Sequence, residues 1–234
     1  MTYSILVRDR ETGALGAAVA SRFFAVGALC IHVEGGVAAL ATQALVNPMY
    51  ALHAMPSLRS GEQPQHIVAA LTAPDPASAQ RQLHIIDIHG NIAQHSGQDC
   101  VTWAGHVRGA DVSVAGNMLA GPAVVAATRD AYLSSTGPLA ARLLTAMEAG
   151  EAAGGDKRGR QSAGLKICTK DAYPDLDIRA DDHPDPLAEL RRLHHVSQQR
   201  FSTFRRFLAG RDSPWGELDR TVIEAAIARE GRLV

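Results

Sequence analysis

The chain has 234 residues, of which 46% are hydrophobic, and its formal net charge is −1. This composition suffices for one large domain with its own core and gives no global attraction to nucleic acid or to a membrane surface. Aromatic residues make up only 5%, so platforms for stacking bases are not expected. The three cysteines (Cys30, Cys100 and Cys168) are odd in number and far apart, which indicates neither a disulfide framework nor a zinc knuckle.

Targeting, membrane and cofactor signals are absent from the sequence. No window has about 18 consecutive apolar residues, and the start lacks the basic and apolar regions of a signal peptide. We therefore expect a cytoplasmic protein without a membrane partner. No glycine-rich nucleotide loop follows a predicted strand, and no histidine group has the carboxylate support of a zinc site, so no cofactor and no metal are predicted.

Apolar patterning predicts strands and helices in separate groups. The predicted strands are Tyr3–Val7, Leu15–Ser21, Leu29–Val33, Val37–Thr42, Leu83–Ile88, Ile92–Ser96, Val101–Val107, Val112–Ala115, Ser162–Thr169 and Leu176–Arg179. The predicted helices are Met49–Leu58, Pro64–Leu71, Pro122–Leu133, Pro138–Ala149, Leu187–Leu208 and Pro214–Arg229. Clustered hairpins with helices between them indicate an α+β fold, in which helices cover antiparallel sheets.

Thr2 is the first candidate functional residue. Trimming of an initiator methionine is expected before a small residue, and Thr2 would then carry a hydroxyl nucleophile and a free amine together. An α-amine with a pKa of ~7.7–8.0 is an effective base near neutral pH. Such an amine is a recognised activator of a threonine hydroxyl. Threonine at position 2 is also common in proteins where it has no catalytic role.

Two residues at the end of the second predicted strand are candidate neighbours of Thr2. If the first two strands pair, Ser21 can hydrogen-bond the Thr2 amine, and Arg22 can stabilise negative charge. From spacing alone, an ordinary strand end with a solvated arginine is the alternative interpretation.

The segment Ala41–Pro48 predicts a strand-to-helix turn that is rich in amide groups. Backbone N–H groups at such a turn, with the positive end of the following helix, form a natural oxyanion hole. Gln43 or Asn47 can add a side-chain donor. Capping of the helix by Asn47 is an equal alternative.

The glycine-rich segment 154–164 precedes a predicted strand and is the best candidate for holding an anionic end of a small substrate. Arg158 and Arg160 can fork onto a carboxylate, Asp156 can orient the amine of Thr2, and Gln161 lies in the same loop. A flexible charged loop is the alternative. A further candidate is Asn117, which leaves a strand before a proline-started helix and can line a pocket or form a structural turn.

Several segments taken together resemble a bacterial family, domain of unknown function 1028, which is placed in the Ntn-hydrolase superfamily. These segments are Thr2–Ile5, Ala18–Gly27, Ala41–Ala44, Trp103–His106, Gly116–Pro122, Gly154–Ala163 and Asp181–Pro186. The resemblance covers roughly residues 2–193. It implies a four-layer αββα sandwich over residues 1–193, followed by a C-terminal helical extension over 194–234.

The resemblance also implies catalytic roles. Thr2 would be the nucleophile with its own amine as base, and the turn at Thr42 and Gln43 would supply oxyanion donors. Proteasome-type members carry an aspartate where this chain has Ala20, and a lysine on the third strand that this chain lacks. Either Asp156, Lys157 and Arg22 substitute for that charge network, or the chain is a non-proteolytic variant, or catalysis has been lost.

The sequence therefore predicts an amidohydrolase that cleaves a small linear or cyclic amide with an anionic group through an acyl-enzyme on Thr2. The alternative function is non-catalytic binding of a small anionic metabolite on the same fold. We expect a small-molecule substrate, no nucleic-acid partner, and a homo-oligomer assembled through the helical layers.

Overall fold

The computed structural model describes residues 2–230, which form ten β-strands and eight α-helices. The strands are β1 Thr2–Arg8, β2 Leu15–Ser21, β3 Ile31–Glu34, β4 Ala38–Ala44, β5 Arg81–Asp87, β6 Ile92–Ser96, β7 Gly105–Gly109, β8 Val112–Asn117, β9 Ser162–Cys168 and β10 Leu176–Ala180. The helices are α1 Val26–Leu29, α2 Met49–Arg59, α3 Pro64–Thr72, α4 Pro122–Ser134, α5 Leu139–Ala152, α6 Pro186–Ser197, α7 Phe201–Phe204 and α8 Arg220–Glu230. The expected α+β class is confirmed.

The strands form two antiparallel sheets. One has six strands in the order β10-β9-β2-β1-β8-β7, and the other has four in the order β3-β4-β5-β6. The hairpins predicted for β1–β2, β3–β4 and β5–β6 are present. The pairings of β1 with β8 and of β2 with β9 join segments far apart in the chain, so no local pattern predicts them.

One hydrophobic core lies between the sheets. Leu6 and Val19 of the six-stranded sheet share this core with Ala39, Ala41 and Ile86 of the four-stranded sheet. Successive side chains of a strand point to opposite faces, so the other half of each strand faces outward.

Helices cover the outer face of each sheet. Tyr50 and Ile67, from α2 and α3, pack with Leu40 and Leu83 of the four-stranded sheet. On the other side, the hydroxyl of Tyr3 in β1 donates to the carbonyl of Met147 in α5 at 2.9 Å. Strand β1 is therefore buried on both faces, which explains its continuous run of buried residues.

The chain divides after Leu190 into two compact units. The sequence prediction of a continuous helix over 187–208 is wrong, because α6 ends at Ser197 and α7 begins at Phe201. The hydroxyl of Ser197 donates to the carbonyl of His194 at 2.7 Å, a local bond that competes with continued helix.

The last predicted helix begins later than the sequence indicates. Residues 214–219 are not helical, and α8 starts at Arg220. Gly216 has a φ of +65°, which interrupts a helix. Asp219 then caps α8, since its Oδ1 accepts the N–H of Thr221 at 2.8 Å.

Over residues 2–230, every helix falls short of the length and apolar character that a membrane span needs.

Gly150 of α5 supplies a first testable prediction. A Cβ at this position would lie 2.2 Å from Oγ1 of Thr128 and 2.9 Å from the ring of Tyr3. We expect Gly150→Ala to lower the free energy of unfolding by about 1–3 kcal/mol through overpacking, despite the better helix propensity of alanine. Urea denaturation measures this. Thr145→Ala, at an exposed position of the same helix, is the control and should be neutral or slightly stabilising.

Candidate active site at one end of the six-stranded sheet

A row of four polar residues closes one end of the six-stranded sheet. Asn117, Thr2, Ser21 and Ser162 pair across β8, β1, β2 and β9 in this order. Paired residues in antiparallel strands share a face, so the four side chains lie on one side of the sheet. All four are buried, Thr2 being 6% exposed and Ser21 3%.

Thr2 is held from both neighbouring strands. Its Oγ1 donates to Oγ of Ser21 at 3.2 Å, and its carbonyl accepts from Nδ2 of Asn117 at 3.4 Å. Thr2 lies on the same side of β1 as Leu6, so it faces the second sheet. The structure thus brings Asn117, which the sequence proposed separately, to the pair of Thr2 and Ser21. Met1, on whose removal a free amine depends, lies outside the described residues.

Gln82 of β5 connects this row to the second sheet. Its Oε1 accepts from Nδ2 of Asn117 at 3.2 Å and from Nε2 of Gln43 at 2.7 Å. Its Nε2 lies 3.0 Å from the carbonyl of Gly116 and 2.7 Å from Oγ of Ser96. Gln82 is fully buried, and each of its polar atoms has a partner. Gln43, a predicted site residue, is therefore linked to the carbonyl of Thr2 by three hydrogen bonds, through Gln82 and Asn117.

The same network continues to a buried histidine. The hydroxyl of Ser4 donates to Oε1 of Gln43 at 2.7 Å, so its oxygen accepts the Nε2 proton of His84 at 2.8 Å. The other ring nitrogen, Nδ1, lies 2.7 Å from Oγ of Ser113, which accepts from Nε2 of Gln94. These bonds fix one neutral tautomer. Burial lowers the pKa of His84 to about 3, helped by the nearby His106.

The sequence reasoning missed Gln82 and His84. The available signal was polar residues at alternate positions of an otherwise apolar strand, beside Leu83 and Ile85. In a half-exposed strand, polar residues at alternate positions indicate the side that faces solvent. Only the two-sheet packing shows that this side faces another polar surface.

Asp156 organises the loop beside Thr2 rather than contacting Thr2. Its Oδ2 accepts the backbone N–H of Arg22 at 2.9 Å, and its Oδ1 accepts that of Arg158 at 2.7 Å. The predicted orientation of the Thr2 amine by Asp156 is not seen among the contacts of the described residues. The carboxylate instead ties the segment after β2 to the glycine-rich loop.

The two arginines predicted to clamp a substrate carboxylate are both in ion pairs. Arg158 pairs with Asp156 at 3.3 Å, and Arg160 pairs at 2.8 Å with both Glu151 and Asp185. These contacts leave the two guanidinium groups less available than the sequence indicates.

Arg22, which directly follows β2, and Gln161, near the end of the glycine-rich loop, are the two remaining candidates of this region. Arg22 is exposed, its Nη1 donates to the carbonyl of Arg158, and it makes no ion pair within residues 2–230. Gln161 donates its backbone N–H to the carbonyl of Ser21 at 3.1 Å and its side-chain amide to Asp182 at 3.2 Å. Arg22 is consequently the better placed cation for an anionic ligand.

Thr42 and Asn47 have structural contacts instead of catalytic ones. Thr42 faces the helix-covered side of β4, and its N–H donates to the carbonyl of Cys30 at 3.0 Å. Its hydroxyl exchanges hydrogen bonds with the backbone of Asn47 at 3.2 and 3.3 Å. Oδ1 of Asn47 accepts the N–H of Met49 at 3.1 Å, as in a helix cap. This geometry gives the predicted oxyanion role of Thr42 no support.

A cavity lined by Tyr3, Ala20 and Glu151, among others, lies at this end of the sheet on its helix-covered side, opposite to the side that Thr2 faces. Its volume is about 10 Å³, which holds at most about one water molecule. Across the described part of the chain, three larger clefts of about 410, 610 and 510 Å³ lie elsewhere, none of them lined by Thr2. No group of three or more metal-ligating side chains occurs among residues 2–230.

His84 makes the stability of the protein depend on pH. Its folded-state pKa lies below the usual value, so above about pH 6.5 both the folded and the unfolded chain hold it neutral. Below that pH only the unfolded chain takes up the proton, until the pH nears 3. From this residue alone, we expect the free energy of unfolding to fall by about 2 kcal/mol between pH 7 and 5.

Urea denaturation at the two pH values measures this loss. His84→Gln should lose about 2 kcal/mol less than the wild type over the same interval, because it cannot titrate. His53→Gln, at an exposed position of α2, is the control and should keep the wild-type loss. An equal loss in the wild type and His84→Gln would contradict the assignment.

Comparisons with known proteins provide one clear relationship. A family described as "Family of unknown function (DUF1028)" matches residues 2–190. The crystal structure of protein SPO2555 from Silicibacter pomeroyi, assigned to the same family, is 31% identical, with a TM-score of 0.87. That alignment covers 94% of this chain and 96% of the other. No protein with a curated description matches the chain significantly.

A more distant match is Anbu, the ancestral β-subunit, from Yersinia bercovieri. It is 15% identical and has a TM-score of 0.39, with 89% of this chain and 98% of the other covered. A superposition this loose carries no argument about the present fold. The match to the family over residues 2–190, together with the close structural match to SPO2555, shows that this chain belongs to the DUF1028 family.

Proposed function

We propose that the protein is an amidohydrolase of the Ntn-hydrolase superfamily, with Thr2 as its N-terminal nucleophile. In this proposal, the two sheets and the helices outside them are the αββα sandwich of that superfamily. The substrate is a small linear or cyclic amide with an anionic group. One observation is the main support for this proposal: Thr2 is the first residue of a central strand, and its Oγ1 lies 3.2 Å from Oγ of Ser21.

The proposed reaction begins after removal of Met1. The free amine of Thr2 takes the proton from its own Oγ1, which attacks the amide carbon of the substrate. The tetrahedral intermediate collapses when the amine returns the proton to the leaving nitrogen, and the C–N bond breaks. Water then attacks the acyl-enzyme, with the amine again as base, and the freed acid leaves Thr2 regenerated.

The surrounding residues support this role by position. Ser21 orients the Thr2 hydroxyl, and Asn117 holds the Thr2 carbonyl from the opposite strand. Thr42 and Gln43 direct their donors to other protein groups, so the proposal assigns no oxyanion hole to that turn. A fixed nucleophile is the condition for attack at a defined angle.

Arg22 is the proposed partner of the anionic group on the substrate. It follows Ser21 directly, its backbone is fixed by Asp156, and its guanidinium has donors to spare within the described structure. A guanidinium can bind a carboxylate through two parallel hydrogen bonds.

A second candidate function is non-catalytic binding of a small anion on the same fold, and one observation favours it. The usual aspartate and lysine near the nucleophile are absent: Ala20 precedes Ser21. The lysine of β9, Lys166, pairs with Asp177 at 3.0 Å. In both proposals the protein acts in the cytoplasm as a homo-oligomer.

Two measurements test the catalytic proposal. Intact mass of the purified protein should lack Met1, which exposes the amine of Thr2. A panel of N-acyl amino acids and carboxylate-bearing lactams is then assayed for amine release. Thr2→Ala should reduce turnover by roughly a thousandfold or more, because the hydroxyl nucleophile is lost.

The variants separate chemistry from folding. Alanine also permits removal of Met1, so Thr2→Ala keeps the amine and loses only the hydroxyl. Thr2→Ser keeps a nucleophile and should retain measurable turnover. Thr136→Ala, at an exposed loop position, is the control and should match the wild type. Undiminished turnover in Thr2→Ala would exclude the mechanism, and a retained Met1 would favour the binding function.

A further inference from the structure

A second charged site lies at the opposite end of β1. A cleft of about 610 Å³ opens where the turns after β1, β5 and β7 meet. It is lined by Arg8, Arg10, Gln65, His89–Ile92 and Arg108–Asp111. Thr2 and Arg8 end the same seven-residue strand, so the cleft and the candidate active site are about 20 Å apart.

The cleft has an excess of positive charge. Three arginines line it, whereas Asp111 is its one acidic lining residue, which leaves two positive charges uncompensated. Oδ1 of Asp111 accepts from Nη1 of Arg8 at 2.8 Å, and Oδ2 accepts from Nε of Arg10. The side chain of Asp111 is only 9% exposed, and its carboxylate holds both guanidinium groups in place.

Donors remain for a ligand after these pairs are made. Arg10 is 69% exposed and bonds Asp111 through Nε alone within the described structure. Arg108 is exposed and makes no ion pair among residues 2–230. The exposed side chain of His89 lies on the facing turn. The remaining guanidinium donors of Arg10 and Arg108 can therefore bind an anion that enters the cleft.

Gly90 lets the β5–β6 turn approach this arrangement closely. Its φ is +85°, and a Cβ there would lie 2.6 Å from Oδ1 of Asp111. The turn therefore closes one side of the cleft against the Asp111 carboxylate.

The adjoining cleft, of about 410 Å³, shares Arg8, Arg10 and Asp111. It also contains Arg142, but the carboxylates of Asp9 and Glu11 line it too, so its charges balance. An anion is attracted to the larger cleft, where the charges do not balance.

We propose that the cleft formed by Arg8, Arg10 and Arg108 binds a small polyanion that carries at least two carboxylate or phosphate groups. Guanidinium groups bind both kinds of anion through paired hydrogen bonds, so one geometry suits either. The two uncompensated charges favour an anion that carries two or more negative charges. The site is separate from Thr2, and its occupancy does not depend on whether Thr2 is catalytic.

Isothermal titration of the full-length protein with pyrophosphate and, separately, with citrate tests this site. We expect saturable binding of at least one of the two at millimolar concentration or below, and the tighter binder identifies the anion chemistry. Sodium chloride at matched ionic strength should give no saturable signal. No saturable binding of either anion would overturn the proposal.

Arg108→Ala is the decisive variant, because Arg108 makes no ion pair in the part of the chain that the structure describes. We expect it to weaken binding about tenfold or more, as for loss of a charge-assisted hydrogen bond. Arg59→Ala is the matched control: it also removes one positive charge, from an exposed pair with Glu34 outside the cleft, and should bind as the wild type does. Equal weakening by both variants would indicate a general charge effect and overturn the assigned site.

Discussion

The structure depends on the pairing of polar groups in the space between its two sheets. Gln82, His84 and Gln43 come from the four-stranded sheet, and Ser4 and Asn117 come from the six-stranded sheet. An unpaired buried amide or hydroxyl costs about 1–3 kcal/mol. The sheets are therefore held in a relative position in which all of these side chains have hydrogen-bond partners. Leu6, Val19 and their neighbours supply the apolar attraction between the sheets, but apolar contact alone is not directional.

The candidate active site is a consequence of this placement. Asn117 contacts Gln82 on one side and Thr2 on the other, so the interlayer network reaches the end of β1. Ser21 fixes the Thr2 hydroxyl from β2, and Asp156 draws the glycine-rich loop against the same end of the sheet. The Thr2 hydroxyl is thus held on a rigid strand by neighbours on two other strands, which restricts its orientation.

Strand β1 joins two chemically different ends of the molecule. At one end, Thr2 and Ser21 form a neutral hydroxyl pair. At the other end, Arg8 is part of an open cleft lined with guanidinium groups. The strand between them is buried on both faces, so neither end can shift along it without disturbing the core. The two sites are therefore fixed relative to each other by a strand that is buried along nearly its whole length.

The sequence by itself determined the α+β class, most strands and helices, and the pairing of β1 with β2, because these follow from local periodicity and turn residues. It did not determine the ends of the C-terminal helices, where Ser197 and Asp219 hydrogen-bond the backbone. The sequence also assigned the same oxyanion role to Thr42 and Gln43. Adjacent strand residues face opposite sides of a sheet, however, and only Gln43 faces the sheet that contains Thr2. Which arginines are engaged, and which polar strand residues meet between the sheets, was decided only by tertiary structure, because those partners are distant in sequence.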